Sequence, residues 1–246
     1  NVQMKLNLDD LVQQHLFAHG QYEPEATAMW KYLLAIRKLG GDMGANVGYY
    51  SLLTAKYGAA ETKIFSFEPM THIYNRAKEN IELNSFSKIH LIKLAVSNQK
   101  KMEVIALEEE SNWGGSNIVA KTPQSNVHSE QIETTTLDLF VKEQNLNTVD
   151  LIKMDVEGYE PFALEGMEKT LTNYNPIVFI EILDHLLVRF NFTPEDIFAF
   201  FRKHGYEGYM ILPNRKLKHL DKAISFDGLI LFAKQNEARI QSQIIV

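Results

Sequence analysis

The stretch Asp42-Met43-Gly44-Ala45-Asn46-Val47-Gly48 lies between a short strand-like segment and a helix-compatible run from Val47 to Tyr57, so the chain reads strand, turn, helix. A ligand approaches a backbone closely only where side chains are absent, and the start of the following helix leaves N–H groups without partners. Asn46 suits such a turn because asparagine tolerates left-handed backbone angles better than most residues. The same pattern also fits a tight turn in any α/β protein, so its surroundings decide the reading. Upstream, Lys38-Leu39-Gly40-Gly41 replaces the β-branched residues expected of a buried strand and predicts a locally weak one.

Working outward, Lys63 to Glu68 reads as a strand, Thr71 to Asn84 as a helix and Ile89 to Ala95 as a strand. Strands alternating with helices imply parallel pairing through right-handed crossovers. Residues 98–135 break that rhythm: they are polar, with β-like stretches at Met102 to Leu107 and Ile132 to Thr136, and predict an insertion or long hairpin over the sheet edge. A helix from Leu137 to Gln144, a strand from Asp150 to Asp155, a helix from Pro161 to Leu171 and a strand from Ile177 to Glu181 resume it. Thr193, Pro194 and Asp196 mark a capped helix start, and Gly205 a stop. Tyr206 to Leu212 and Phe226 to Ala233 then read as strands joined without a helix, which predicts antiparallel pairing with each other or with a neighbour.

Before the core, Asp9 to Arg37 looks helical, with Ala28, Met29, Tyr32, Leu33 and Ile36 on one face. The expected division is a helical cap or lid over residues 1–37, a core over 38–235 carrying the insertion at about 98–135, and a peripheral tail over 236–246.

The 246 residues carry 25 basic against 31 acidic side chains, a formal charge of −6 that argues against nucleic acid as a partner. Cysteine is absent, which excludes disulfides, zinc–thiolate sites and thiol nucleophiles. No apolar run approaches the roughly 20 residues that span a bilayer, and the N-terminus lacks the order of a signal peptide. The expectation is a cytoplasmic protein without a membrane partner, its oligomeric state left open.

Two further motifs bear on function. Phe67-Glu68-Pro69 closes the second strand, where a carboxylate can accept both hydroxyl hydrogens of a ribose. The glycines at 44 and 48 do not follow the G-x-G-x-x-G spacing of a nicotinamide site. Asp150-Leu151-Ile152-Lys153-Met154-Asp155-Val156-Glu157-Gly158-Tyr159-Glu160 is an apolar strand ending in acids and a lysine, which places ionisable groups at the ligand-binding edge or, alternatively, pairs them as surface charges. With D-x-G-A-N-x-G, F-E-P and K-x-D-x-E-G-x-E in order over roughly residues 38–182, the chain resembles the FkbM family of S-adenosylmethionine-dependent methyltransferases.

The resemblance implies a Rossmann-like, doubly wound, mostly parallel seven-stranded sheet with a C-terminal antiparallel pair. It implies that Asp42, Gly44, Asn46 and Gly48 line the methionine part of S-adenosylmethionine, that Glu68 binds its ribose beside Pro69, and that Ala95 and Val96 line the adenine pocket. Asp155 faces the cofactor's ammonium or the reacting hydroxyl. The activity implied is O-methylation of a natural-product, polyketide or sugar hydroxyl, leaving S-adenosylhomocysteine, with a small-molecule or carrier-tethered acceptor. Candidates for the general base are Asp155, Glu157, Glu181 and His185; His72 is a further histidine near the second motif. Candidates for contact with the acceptor are Tyr50, Trp113, Gly115 and Ser116. Carboxylates at a sheet edge also suit a divalent metal such as magnesium, whose ligands the sequence does not fix. A nicotinamide-dependent oxidoreductase and a non-catalytic domain of a larger synthase are the alternatives.

Overall fold

The computed structural model describes residues 2–35, 39–106, 117–118, 129–223 and 228–245. Its central sheet opens with β1 (Leu39–Met43), flanked by β2 (Lys63–Phe67) and β8 (Leu151–Met154), both parallel to it. Beyond β2 lies β3 (Ile89–Ile92), and beyond β8 lies β9 (Ile177–Ile182), again in parallel. Antiparallel β12 (Gly228–Lys234) and β10 (Tyr206–Leu212) follow. The expected seven strands are therefore present, and the sheet extends to nine. A strand β11 (Lys216–Leu220) sits in the connection between β10 and β12, and the tail supplies β13 (Ile244–Ile245), giving the order β13-β11-β10-β12-β9-β8-β1-β2-β3. The tail thus joins the sheet, and its Ile240, on the short helix α10 (Ala238–Gln241), is fully buried.

Alternation along the inner strands shows why the sheet is covered on both sides. Leu151, Ile177, Phe179 and Leu231 pack with Trp30, Leu33 and Leu53 on one face. Ile152, Val178, Ile180 and Phe232 pack with Phe140, Leu164, Phe198 and Phe201 on the other. Near-continuous apolar strands are what burial on two faces demands. β1 survives its glycines because neighbours fill the space: Ile64 and Ile152 stand at ordinary contact distance from where Cβ atoms on Gly40 and Gly41 would be.

One cover consists of α2 (Pro24–Leu34) and α3 (Tyr49–Tyr57), the other of α5 (Leu137–Glu143), α6 (Glu160–Glu165), α7 (Glu168–Tyr174) and α9 (Pro194–Lys203), while α4 (Thr71–Asn84) lies between β2 and β3 in the chain. The helical reading of Asp9 to Arg37 resolves into α1 (Leu11–His19) and α2, separated at Gly20, whose φ of 69° ends α1. Within α2, Met29, Trp30 and Leu33 are fully buried while Ala28 is exposed; Trp30 Nε1 donates to Thr54 Oγ1 at 3.0 Å. The start of α9 carries the expected capping box between Thr193 and Asp196. No helix among the described residues is long and apolar enough to cross a membrane.

Two expected elements differ. The third strand stops at Ile92, and Ala95–Val96 (β4) leaves the main sheet to pair with β7 (Ser129–Thr135) in a second sheet of order β4-β7-β5-β6, with β5 at Met102–Ala106 and β6 at Asn117–Ile118. The helix expected over Pro161 to Leu171 breaks at Gly166 and Met167, giving α6 and α7. The cause is a backbone contact: a Cβ on Gly166 would lie 2.0 Å from the carbonyl oxygen of Ser97, beside β4. Gly166→Ala is expected to cost about 1–3 kcal/mol through overpacking. Urea denaturation reads this as a lower midpoint with an unchanged slope, and an unaltered midpoint contradicts the account.

Candidate active site

The strand order turns back on either side of β1, with β2 and β3 added to one flank and β8 and β9 to the other. Ligands of open parallel sheets sit at such a switch point, outside the carboxyl ends of the strands. Here the loops after β1, β2 and β8 meet. Gly44 N and Ala45 N donate to Phe67 O at 3.0 and 2.9 Å, and Asp155 N donates to Met43 O at 3.0 Å. Gly44 has φ 77°, and a Cβ there would lie 1.7 Å from Asp155 O, so only glycine lets the first and third loops touch. Asn46 takes φ 48° and its Oδ1 accepts from Val47 N at 2.7 Å, the local bond that makes asparagine tolerable in this conformation. Gly48, at φ 89°, begins α3.

Side chains brace the turn. Asn80, fully buried on α4, donates to Val47 O at 2.9 Å and accepts from Lys5 N at 2.7 Å. Glu68 is 5% exposed and accepts from Asn46 N at 3.1 Å and Met70 N at 3.0 Å. A carboxylate has about four lone-pair sites, so each oxygen keeps one for a ligand. Asp42 accepts from Ser51 Oγ at 2.6 Å through one oxygen, while its other oxygen is buried with no hydrogen-bond partner among the described residues.

Two cavities open from this edge. The first, about 630 Å³, is lined by Gly44, Asn46, Phe67 to Met70, Ile73, Leu94 to Val96, Ile105, Asp155 to Glu157 and Tyr159. The second, about 1720 Å³, is polar at its floor, with Asp42, Lys153, Asp155, Glu157 and Glu181, and is walled by Tyr22, Tyr49 and Tyr50, with Leu11, Val12, His185 and Arg189 also lining it. The cavities share Gly44, Asn46, Asp155 and Glu157. A molecule crossing from one to the other passes between the glycine turn and these two acids.

Lys153 is 4% exposed, so it is a buried charge rather than part of a surface pair. Its Nζ lies 2.5 Å from Asp155 Oδ2 and 5.1 Å from the centroid of the Tyr50 ring. Burial alone would discharge it, but Asp155, Glu23, Asp42 and Glu181 hold its ammonium well above the usual lysine range. Against the opposing effect of burial, Lys153 and a hydrogen bond from Glu181 hold Asp155 below the usual carboxylate range. Burial and the charge of Asp155 push Glu181 up to about 11, which makes it the protonated member of that pair.

Glu157 is pushed up to about 9 by burial and by Asp155 and Glu160. Burial also lifts Asp42 to about 6 against Lys153 and the Ser51 hydroxyl, and Glu68 to about 7 against the N–H groups of Met70 and Asn46. Glu160, likewise lifted to about 7 by burial, accepts from Val156 N at 3.1 Å and Gly158 N at 3.2 Å. Among the described residues no group of three or more histidines and acids is arranged to hold a metal ion.

The structure brings most of the sequence candidates to this edge. Gly44, Asn46, Glu68, Pro69, Ala95, Val96 and Asp155 line the first cavity, and Asp42, Gly44, Asn46, Tyr50, Asp155, Glu157, Glu181 and His185 the second. Gly48 starts α3 behind the turn, and His185 is exposed at the rim. His72 lines neither cavity but a neighbouring groove with Gln13, Asn46, Val47, Ile73 and Arg76. Trp113, Gly115 and Ser116 lie outside the described residues.

Sequence reading missed Tyr22 and Glu23. Tyr50 OH donates to Glu23 Oε2 at 2.7 Å, and Tyr22 faces Asp155, Glu181 and Lys153. Glu23 has φ 45°, a left-handed angle for a non-glycine residue directly before Pro24. The one legible signal was the Glu-Pro step opening a helical pattern.

Comparison with known proteins bears on the family and the fold. A curated relative, Methyltransferase 1 of Beauveria bassiana (strain ARSEF 2860), is 27% identical over 161 residues, 58% of this chain and 64% of that protein. The chain therefore spans a little under two thirds of that relative's length. A Streptococcus mutans structure described as a methyltransferase in complex with SAH shares the fold, at 9% identity and TM-score 0.50 over 87% of this chain and 98% of that one. Methyltransferase FkbM from Methylobacillus flagellatus KT aligns at 15% identity and TM-score 0.48, over 93% of this chain and 56% of that one. The Methyltransferase FkbM domain pattern matches residues 42–207, from the aspartate in β1 to the start of β10, and the chain belongs to that family of methyltransferases.

Proposed function

We propose that the protein transfers a methyl group from S-adenosylmethionine to a hydroxyl of a small-molecule or carrier-tethered acceptor of natural-product, polyketide or sugar type. The observation that carries this reading is the meeting of two unlike cavities at Gly44, Asn46, Asp155 and Glu157. The first, with Ala95, Val96, Ile73 and Ile105 around Glu68, suits a nucleoside: apolar walls for a base and one buried carboxylate for a ribose diol. The second is large enough for an acceptor and is lined with groups that can orient a hydroxyl. A neighbour of the same fold was solved in complex with SAH, which supports the choice of cofactor.

The residues present fit the cofactor in charge as well as shape. It carries positive sulfonium and ammonium groups, and the edge holds the ionised Asp155 with Asp42, Glu157 and Glu181 around the buried Lys153, one Asp42 oxygen having no hydrogen-bond partner among the described residues. Gly44 and Asn46 leave backbone exposed to the methionine part, while Pro69 and Met70 close the ribose side. S-adenosylmethionine supplies a methyl carbon already activated by sulfur, so the protein's task is alignment and a place for the acceptor's proton. Tyr50, held by Glu23, and Tyr22 offer hydroxyls that orient the acceptor. A net charge of −6 and a floor of carboxyls favour neutral acceptors over nucleic acid.

Titration calorimetry is expected to show binding of S-adenosylhomocysteine and none of NAD; the opposite result removes the reading. Glu68→Gln should weaken S-adenosylhomocysteine about 10- to 100-fold, on the order of 1.5–3 kcal/mol for charge-assisted hydrogen bonds to the ribose. An unchanged affinity would place the ribose elsewhere.

The pH dependence follows from the same group. Glu68 is raised to about 7 by burial, and a diol donating two hydrogen bonds prefers the carboxylate. Affinity for S-adenosylhomocysteine should therefore rise as pH increases from 6 to 8, by about tenfold at most for one proton. The rise should be smaller in Glu68→Gln, and a flat or falling affinity over that range in the unsubstituted protein contradicts the assignment.

A further inference from the structure

Glu157 stands where the two cavities join, on a backbone that its residue type does not choose. Its φ is 56°, the left-handed region that costs a non-glycine residue free energy and persists only where surrounding structure enforces it. Here the enforcement is explicit. Val156 N and Gly158 N both donate to Glu160 Oε1, Tyr159 N donates to Val156 O at 3.2 Å, and a Cβ on Gly158 would lie 2.9 Å from the carbonyl oxygen of Leu186. The turn is pinned on one side against α8 (Asp184–Leu187) and on the other against the glycine turn, through Gly44 and Asp155. An acid set on a strained, pinned backbone at the junction is a feature the sheet alone does not need.

Of the two acids shared by the cavities, Asp155 is a poor proton acceptor, because Lys153 Nζ at 2.5 Å and the hydrogen bond from Glu181 already stabilise its charge. Glu157 differs. Asp155 and Glu160 face it from its own loop and Glu181 from β9, while Lys153 on β8 and Arg189 beyond α8 act in the opposite sense. Burial and the acids prevail, so the carboxyl holds its proton at neutral pH. An opposite charge within about 4–6 Å favours the ionised form of a carboxyl by about ten- to a thousandfold.

We propose that Glu157 is the catalytic residue that takes the acceptor's proton, and that the positive charge of the bound cofactor is what frees it to do so. The assignment rests on the cofactor reading given above. As the acceptor oxygen forms its bond to the methyl carbon, the carbon–sulfur bond breaks and its electron pair stays on sulfur, now a neutral thioether. The hydroxyl proton passes to the Glu157 carboxylate. With the positive charge gone, the carboxyl keeps that proton, and the site returns to the state in which it began.

The test needs no acceptor. Calorimetry in buffers of different ionisation enthalpy counts the protons released when S-adenosylmethionine, S-adenosylhomocysteine or sinefungin, which bears an amine in place of the methyl sulfonium, binds at pH 7.5. The two ligands with positive charge at the reacting position are expected to release more than S-adenosylhomocysteine, the excess approaching about one proton. Glu157→Gln should erase the excess while S-adenosylhomocysteine still binds within about threefold of its original affinity, and Glu181→Gln should retain it.

Equal release by the charged and neutral ligands on the unsubstituted protein overturns the proposal without recourse to any variant. So does an excess that survives in Glu157→Gln or disappears only in Glu181→Gln. Failure of the unsubstituted protein to bind S-adenosylhomocysteine is a different result, which removes the cofactor reading and the assignment with it.

Discussion

The contact between Gly44 and the carbonyl of Asp155 is the constraint on which the site depends. β1 and β8 are hydrogen-bonded neighbours at the switch point, and the chain beyond them runs to helices on opposite faces, α3 after β1 and α6 after β8. Here the missing side chain at residue 44 lets the two loops close on each other, and Asp155 N donating to Met43 O fastens them. That closure divides the space above the sheet into two cavities and leaves both acids of the junction beside the glycine turn. Glu68 and Glu160 do the same work for their own loops, each spending carboxylate oxygens on two backbone N–H groups.

The arrangement carries a cost. Burying Asp42, Glu68, Lys153 and Glu160 takes charges out of water, and the hydrogen bonds and ion pairs recover only part of the loss. The raised affinities for protons at Asp42, Glu68, Glu157, Glu160 and Glu181 are the visible trace of that cost. A fold selected for stability alone would replace such a cluster with apolar side chains, as the rest of the sheet does: Leu151, Ile152, Ile177, Val178 and Ile180 are all completely buried. The acids are confined to the carboxyl edge, where strands end and a ligand can share the burden. A cationic ligand there relieves repulsion among carboxyls, so binding and ionisation are coupled by position.

Much of this was legible in the sequence because it is local. Thr71 to Asn84 was read as a helix with its observed bounds, and the strands at Lys63, Asp150 and Ile177 were found within a residue or so, since their apolar runs and flanking breakers lie in one window. What escaped depends on contacts distant in the chain. The break between α6 and α7 at Gly166 is set by Ser97, and the departure of Ala95–Val96 from the main sheet by pairing with Thr134 and Thr135. The burial of Lys153 was also hidden, because a lysine among acids reads as a solvated pair until the strands on either side of it are known to be central.

The N-terminal cap shows the limit most clearly. The family pattern covers residues 42–207, and that span holds the glycine turn, Glu68 and every acid of the junction. Leu11, Val12 and Tyr22 line the second cavity from outside it, and Glu23 reaches in to hold the Tyr50 hydroxyl. Leu11 and Val12 stand on α1, while Tyr22 and Glu23 lead directly into α2, whose Trp30 packs edge-on against Tyr50 and Phe179. The wall of the second cavity is thus drawn from two parts of the sequence: Val47, Tyr49, Tyr50, His185 and Arg189 lie within residues 42–207, and Leu11, Val12 and Tyr22 lie before them.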